Sequence, residues 1–273
     1  MTRISFIRVL VAGLLLLGTA VIVVGQAISY GIPRSSTGLE IGELPPRRPG
    51  FNFCRLMYRS VTQEALGSGW TTDYPSADRN LLIRLAEITL VESPKNAEEE
   101  PLHVVVRATD PTLFGCPFLF ASDVGTIGFL DEEIGGLREY LLKGGFLWVD
   151  DFWGPEAFDR WSMEIGRVLP GRPIVELAPD HPIFKTFLDV TEVPQIPAIS
   201  YWLTTGETAE RAGAVARVYG IFDERGRLMV LMSHNTDIAD GWEREGENPE
   251  FFEMFSPGGY AVGMNVVIWA LTH

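Results

Sequence analysis

The chain has 273 residues, 46% of them hydrophobic and 21% charged, enough for one large domain or two small ones with a sizeable core. Thirty-six Asp and Glu stand against 22 Lys and Arg; three of those bases (Arg3, Arg8 and Arg34) and no acid precede Glu40, so the remainder carries 19 bases and 36 acids. A surface this acidic repels nucleic acid and anionic lipid headgroups, which excludes a nucleic-acid function; its simplest use is solubility.

Residues 9–28 are almost wholly apolar, interrupted only by Gly13, Gly18, Thr19, Gly25 and Gln26. About 20 helical residues span a bilayer core of roughly 30 Å. Arg3 and Arg8 precede the run without a compensating acid, which orients residues 1–8 toward the cytoplasm and the rest outward. The competing reading is a cleaved signal peptide, for which Gly25-Gln26-Ala27 is a passable small-x-small site. The apolar run exceeds the usual h-region of about 7–15 residues, which favours a retained signal anchor. The expected location is the inner membrane, single-pass, with the domain in the periplasm. Residues 29–50 follow as a linker holding Pro33, Pro45, Pro46 and Pro49, a composition that makes a semi-rigid spacer. The domain proper then occupies residues 51–273.

Its elements read as follows. Residues 51–58 form a first strand. Ser76 can cap a helix over 77–91 whose inner face is Leu81, Leu82, Leu85, Ile88 and Leu90 or Val91. Residues 102–108 and 117–121 are the second and third strands. Asp131-Glu132-Glu133 open a helix with acids at the positive end of its dipole. Ile134, Leu137, Leu141 and Leu142 face inward, and Gly144-Gly145 close it. Residues 146–149 are a fourth strand, and Gly154-Pro155 start a helix with Pro in its first turn. Residues 174–177 are a weaker fifth strand. Asp223-Glu224-Arg225-Gly226, between residues 218–222 and 228–233, signals a hairpin. Residues 256–271 close the chain as a helix burying Tyr260, Met264, Val267, Ile268 and Leu271. Apolar strands alternating with amphipathic helices predict an α/β domain, a mostly parallel sheet covered on both faces. Cys54 and Cys116 pair if the domain is exported; the alternative is two buried thiols.

In such sheets ligands bind beyond the carboxyl ends of the strands, so the residues after each strand are the candidates. Asp150-Asp151 lies where a strand turns into a helix. Adjacent carboxylates raise each other's proton affinity unless a cation or donors offset this, so the pair suits a metal or acid–base chemistry. The plainer reading is one helix cap and one solvated acid. His181, before Pro182, is a candidate base or ligand, or a loop histidine held rigid. His234 and Asp237, three apart at a strand end, suit a metal site or a hydrogen-bond network. Asp73 and Asp78 flank a helix start, where capping is the simpler account, and Asp110 follows the second strand. Trp70, Trp153 and Trp242 wall a pocket or pack the core. The phosphate-loop, dinucleotide, nucleophile-elbow, Cys-x-x-Cys and His-Glu-x-x-His patterns do not occur.

Six segments occur in order: Phe53-x-Arg55-Leu56-x-Tyr58, Trp70-x-Thr72-Asp73-x-Pro75-x-Ala77-Asp78, Gly144-Gly145-Phe146-Leu147-x-x-Asp150-Asp151, Asp180-His181-Pro182-Ile183, Gly226-Arg227-Leu228 and Gly263-x-Asn265. Together they resemble a bacterial family of uncharacterised domains, domain of unknown function 4159, over about residues 51–271. The resemblance implies a fold similar to class I glutamine amidotransferases, a flavodoxin-like sandwich, and no activity. Amidotransferases need a Cys at a strand-to-helix elbow and a distant His-x-Glu. Here the elbow holds Asp150-Asp151, and no His-x-Glu occurs.

Three functions fit. The first is a binding domain taking a small ligand or an envelope protein in a cleft lined by Asp73, Asp110, Asp150, Asp151, His181 and Asp237. The second is a hydrolase assisted by a divalent metal, using Asp150, Asp151, His181 and Asp237. The third is a structural part of an envelope assembly.

Overall fold

The computed structural model describes residues 41–45 and 50–273. The expected membrane-spanning segment 9–28 and most of the linker lie outside the described residues.

Seven strands form one sheet: β1 (Phe53–Leu56), β2 (His103–Val106), β3 (Phe118–Ala121), β4 (Phe146–Phe152), β5 (Val175–Glu176), β6 (Arg217–Phe222) and β7 (Leu228–His234), in the order β2-β1-β3-β4-β7-β6-β5. The five strands from β2 to β7 run parallel, while β6 and β5 are antiparallel additions at one edge. The helices are α1 (Ser76–Ile88), α2 (Asp131–Leu142), α3 (Gly154–Val168), α4 (Ile199–Thr205), α5 (Asp240–Glu243) and α6 (Pro249–Thr272). The expected mixed α/β architecture with a mostly parallel sheet is present.

The central strands are apolar on both sides because both sides are covered. Phe53, Phe118, Phe120, Phe146 and Trp148 face one layer, packed with Leu81, Leu82 and Leu85 of α1 and Met264 and Val267 of α6. Their period-two neighbours Cys54, Leu56, Leu119, Leu147 and Val149 face the other, against Ile134 and Leu137 of α2 and Trp161 and Ile165 of α3. Trp148 satisfies its ring N–H by donating to Ser233 Oγ at 2.8 Å.

Cys54 and Cys116 form a disulfide with their Cα atoms 5.9 Å apart. Cys116 ends the short turn before β3, the strand beside β1, which brings it to Cys54. Bridging positions 62 residues apart stabilises a fold by about 2–4 kcal/mol, largely by restricting the unfolded chain.

Several boundaries differ from the expectations. Ser76 is the first residue of α1 and does not cap it; α1 ends at Ile88, and Leu90 is fully exposed. Leu142 is 55% exposed, because it falls one residue off the Ile134–Leu137–Leu141 stripe. β4 runs on through Asp150 and Asp151 to Phe152. The fifth strand is two exposed residues at the antiparallel edge. α6 starts at Pro249, with Asn248 accepting the Phe251 N–H at 2.9 Å, and continues through Pro257. Leu271, expected inside, is 39% exposed in its last turn. Among the described residues α6 is the one helix long and apolar enough to cross a membrane, and 56% of its apolar window is buried within the domain. Packing against the sheet, α1 and α5 accounts for that hydrophobicity.

Candidate functional site

Strand order places the site. The chain leaves β1 toward β2 on one side and returns to β3 on the other, so connections diverge at the carboxyl ends of β1 and β3, where a crevice opens. Acids converge there from the ends of four neighbouring strands: Asp73 after β1, Asp123 after β3, Asp150 and Asp151 closing β4, Asp237 and Asp240 after β7. The cleft has a volume of about 540 Å³, and Asp73, Asp151, Asp237, Asp240, Glu243 and Arg244 are among its walls.

Backbone geometry aims these groups. Asp73, Asp123, Asp151 and Asn235 have φ of 64°, 54°, 51° and 59°, in the left-handed region. Asp and Asn tolerate it better than other side-chain-bearing residues, at a cost of order 1 kcal/mol or more each. At Asp151 this bends the end of β4 into α3, and the sheet register shifts between Val149 and Phe152. Gly69 (φ 65°) passes so close to Ser60 that a Cβ would sit 2.4 Å from its Oγ, and its N–H reaches Asp123 Oδ2 at 2.6 Å.

Each carboxylate receives few donors. Ser122 Oγ donates to Asp73 at 2.8 Å and the Trp153 ring N–H to Asp151 at 3.0 Å. The Ala239 N–H donates to Asp150 at 3.0 Å, the Asp240 N–H to Asp237 at 2.9 Å and the Ile199 N–H to Asp240 at 2.6 Å. The second oxygen of Asp123 is buried without a hydrogen-bond partner. Arg244 is the cation at the rim, 2.5 Å from Glu243 and 3.5 Å from Asp240.

Proton affinities rise accordingly. Burial, then the neighbouring Glu243 charge, pushes Asp73 up to about 7; burial, against the Gly69 N–H, pushes Asp123 up to about 7. Glu64, which accepts the Trp153 N–H, is likewise raised to about 7 by burial and by Asp123. Asp150, Asp151, Asp237 and Asp240 are all held well above the carboxylate range, first by burial and then by like charge, that of Asp73 in every case. A cation placed among them would remove that penalty. One ligand atom from each of Asp73, Asp151 and Asp237 lies within 4.8 Å of the others, and the same holds for Asp73, Asp240 and Glu243.

The expected site is thus partly assembled. Asp73, Asp150, Asp151 and Asp237 come together, with Asp150 wholly buried behind the cleft wall. Asp110 does not join them. β2 is the outermost strand on its side, and Asp110 closes the turn after it by accepting the Arg107 N–H at 2.8 Å. His181 does not join them either. It packs on Phe222, where β6 meets the amino end of β7, and on Trp269, at the end of the strands opposite the acids. Its Nδ1 accepts the Ile183 N–H, the rigid-loop role. His234 bonds the Gly154 carbonyl at 3.0 Å rather than facing the acids. Asp78 is no cap: with Arg55 it forms an ion pair buried on both sides, and Arg55 also donates to the Thr72 carbonyl at 2.9 Å. That pair fixes the segment carrying Asp73. Trp242 is core, buried against Trp148.

Asp123, Asp240 and Glu243 also follow strands in the sequence but fall outside the expected site, and Glu64 is not singled out by the sequence at all. The Asp240/Glu243 spacing, three apart on one helical face, was a usable signal; the Glu64 loop offered none. A second cleft of about 590 Å³ runs along β5 and β6; of its charged residues Glu176, Glu192 and Arg217, the first and last pair with each other at 2.5 Å. It holds no convergent set. The chain's two cysteines are bonded to one another, so neither is a free nucleophile.

The raised acids give stability a definite pH sign. Glu64, Asp73 and Asp123 hold protons to about pH 7 when folded and only to about pH 4 when unfolded. Between those values the folded state binds more protons, so stability falls as pH rises. The expected result, with chelator present, is a melting temperature that falls from pH 5 to pH 7.5; a rise across that window would contradict the buried-acid assignment.

A comparison with curated proteins found no match. Residues 52–271 match the family model described as Domain of unknown function (DUF4159), the region in which the acids, the buried Arg55–Asp78 pair and the disulfide all lie, and the chain belongs to that family.

Proposed function

We propose that this is a ligand-binding domain whose acidic cleft works with a divalent cation. The observation that carries the reading is the convergence of Asp73, Asp151 and Asp237, buried and within 4.8 Å at their ligand atoms, with too few donors to offset their charge. The donors are all carboxylate oxygens, which suits Mg²⁺, Mn²⁺ or Ca²⁺. A cation there would keep open positions toward the cleft for an oxygen-bearing ligand. A fold similar to class I glutamine amidotransferases is part of this proposal: the order β2-β1-β3-β4-β7 supports a flavodoxin-like doubly wound sheet, with Asp151 near the end of β4.

The alternative reading is a metal-assisted hydrolase. Asp151 in its left-handed conformation, with Asp123 and Glu64 raised to about 7 nearby, favours it: these carboxylates would serve as general bases if a cation held by the acids supplied an activated water. His181 has no part in it.

The domain is further proposed to stand outside the cytoplasm on an N-terminal membrane helix, residues 9–28. The apolar run with its preceding arginines supports this, as does the Cys54–Cys116 disulfide, since such bonds persist in oxidising compartments. In intact cells both thiols should resist alkylation until a reductant is added; ready alkylation would contradict export.

For the site, the full chain in detergent at pH 7.5 should gain at least several degrees in melting temperature with millimolar Mn²⁺, Mg²⁺ or Ca²⁺, and Asp237→Asn should abolish the gain. No shift with any cation would overturn the reading. Cation-dependent turnover of chromogenic phosphate or carboxylate esters, lost in Asp151→Asn, would select the hydrolase.

A further inference from the structure

The cleft wall contains two carboxylate triads, and they share one member. Asp73 groups with Asp151 and Asp237 on one side, and with Asp240 and Glu243 on the other; within each triad the ligand atoms lie within 4.8 Å of one another. Asp73 approaches from the β1 side, Asp151 and Asp237 from the ends of β4 and β7, and Asp240 and Glu243 from one face of α5. We infer that the cleft holds two divalent cations side by side, bridged by the Asp73 carboxylate. The inference rests on the cation-binding reading above and sharpens it from one ion to a pair.

Three observations carry it. The first is geometric: a carboxylate has two oxygens, and paired cations in two-metal sites sit roughly 3.5–4 Å apart, a spacing one carboxylate can bridge. The second is charge. The five acids of the two triads are met by Arg244, which lies against Glu243 and Asp240, and by Arg55 behind Asp73, whose charge Asp78 already offsets. At least four negative charges are left, with Asp123, Asp150 and Glu210 also bearing on Asp151, more than one divalent cation neutralises. The third is independent of the triads. Asp123, 1% exposed, keeps one oxygen buried with no hydrogen-bond partner; the Asp73 charge bears on it, and its own charge bears on Asp151. A buried carboxylate oxygen without a donor calls for an explanation, and a cation beside Asp73 and Asp151 supplies one.

The donor set also fixes the cation class. Neither triad contains His or Cys, so the pair would be hard ions held by oxygen, such as Mn²⁺, Mg²⁺ or Ca²⁺, in preference to Zn²⁺.

The test is Mn²⁺ binding to the full chain in detergent, by calorimetry for stoichiometry and electron paramagnetic resonance for coupling. Two Mn²⁺ per chain with an exchange-coupled signal are expected. Glu243→Gln should leave one uncoupled Mn²⁺ on the Asp151/Asp237 side, and Asp73→Asn should abolish coupling. Asp110→Asn, outside the cleft, should keep both ions, and circular dichroism checks that each variant is folded. A single Mn²⁺ in the unaltered chain, or two without coupling, overturns the pair while leaving one-cation binding intact. No Mn²⁺ at all overturns both readings.

Discussion

Carboxylates crowded at the ends of parallel strands are the constraint around which this domain is built. Asp side chains follow or close four adjacent strands, and three of them are set by left-handed backbone that the surrounding packing must hold in place. Folding brings like charges out of water and next to one another, which is unfavourable unless protons or cations arrive with them. The domain therefore has two ways to be stable: acids that keep their protons, or acids that share a metal. The pH decides which state is accessible in the absence of a cation.

The rest of the architecture supplies rigidity to that edge. Arg55, fully buried in β1, grips Asp78 of α1 and the carbonyls of Trp70 and Thr72, and so fixes the loop that presents Asp73. Removing one partner of such a pair costs about 3–5 kcal/mol, because the other charge is left buried alone. Arg227 plays a similar part at the far edge, donating to the carbonyls of Leu141 and Gly145. Asn265 ties α6 to the loop after the Pro182–Lys185 turn by accepting from Phe187 and Leu188 and donating back to Leu188. The polar residues of those six segments thus divide into two kinds. Arg55, Asp78, His181, Arg227 and Asn265 hold the frame, while Asp73, Asp150 and Asp151 belong to the acidic edge.

That division explains what could be read from the sequence and what could not. Apolar strands alternating with amphipathic helices were legible because burial on both faces leaves a continuous hydrophobic run, as in Phe146-Leu147-Trp148-Val149. Asp150-Asp151 and Asp237 were legible because they follow such runs. Asp110 and His181 were misplaced because a strand end does not reveal which edge of the sheet it joins: β2 is outermost, and the connection carrying His181 packs at the amino ends of the strands. Those facts belong to strand order, which no local pattern encodes. The start of α6 was missed because Pro257 looks like a first-turn proline, whereas Asn248 and Pro249 already perform that role eight residues earlier. Glu64 lies in an irregular loop, with no periodicity to mark it.

The central claim is that the acids at the ends of β1, β3, β4 and β7 form a cation site. The most direct measurement is anomalous scattering from crystals of the full chain grown with Mn²⁺ at pH 7.5. The account predicts Mn²⁺ density between Asp73, Asp151 and Asp237. A map without anomalous density there, with the same carboxylates in place and the cleft open to solvent, would contradict it.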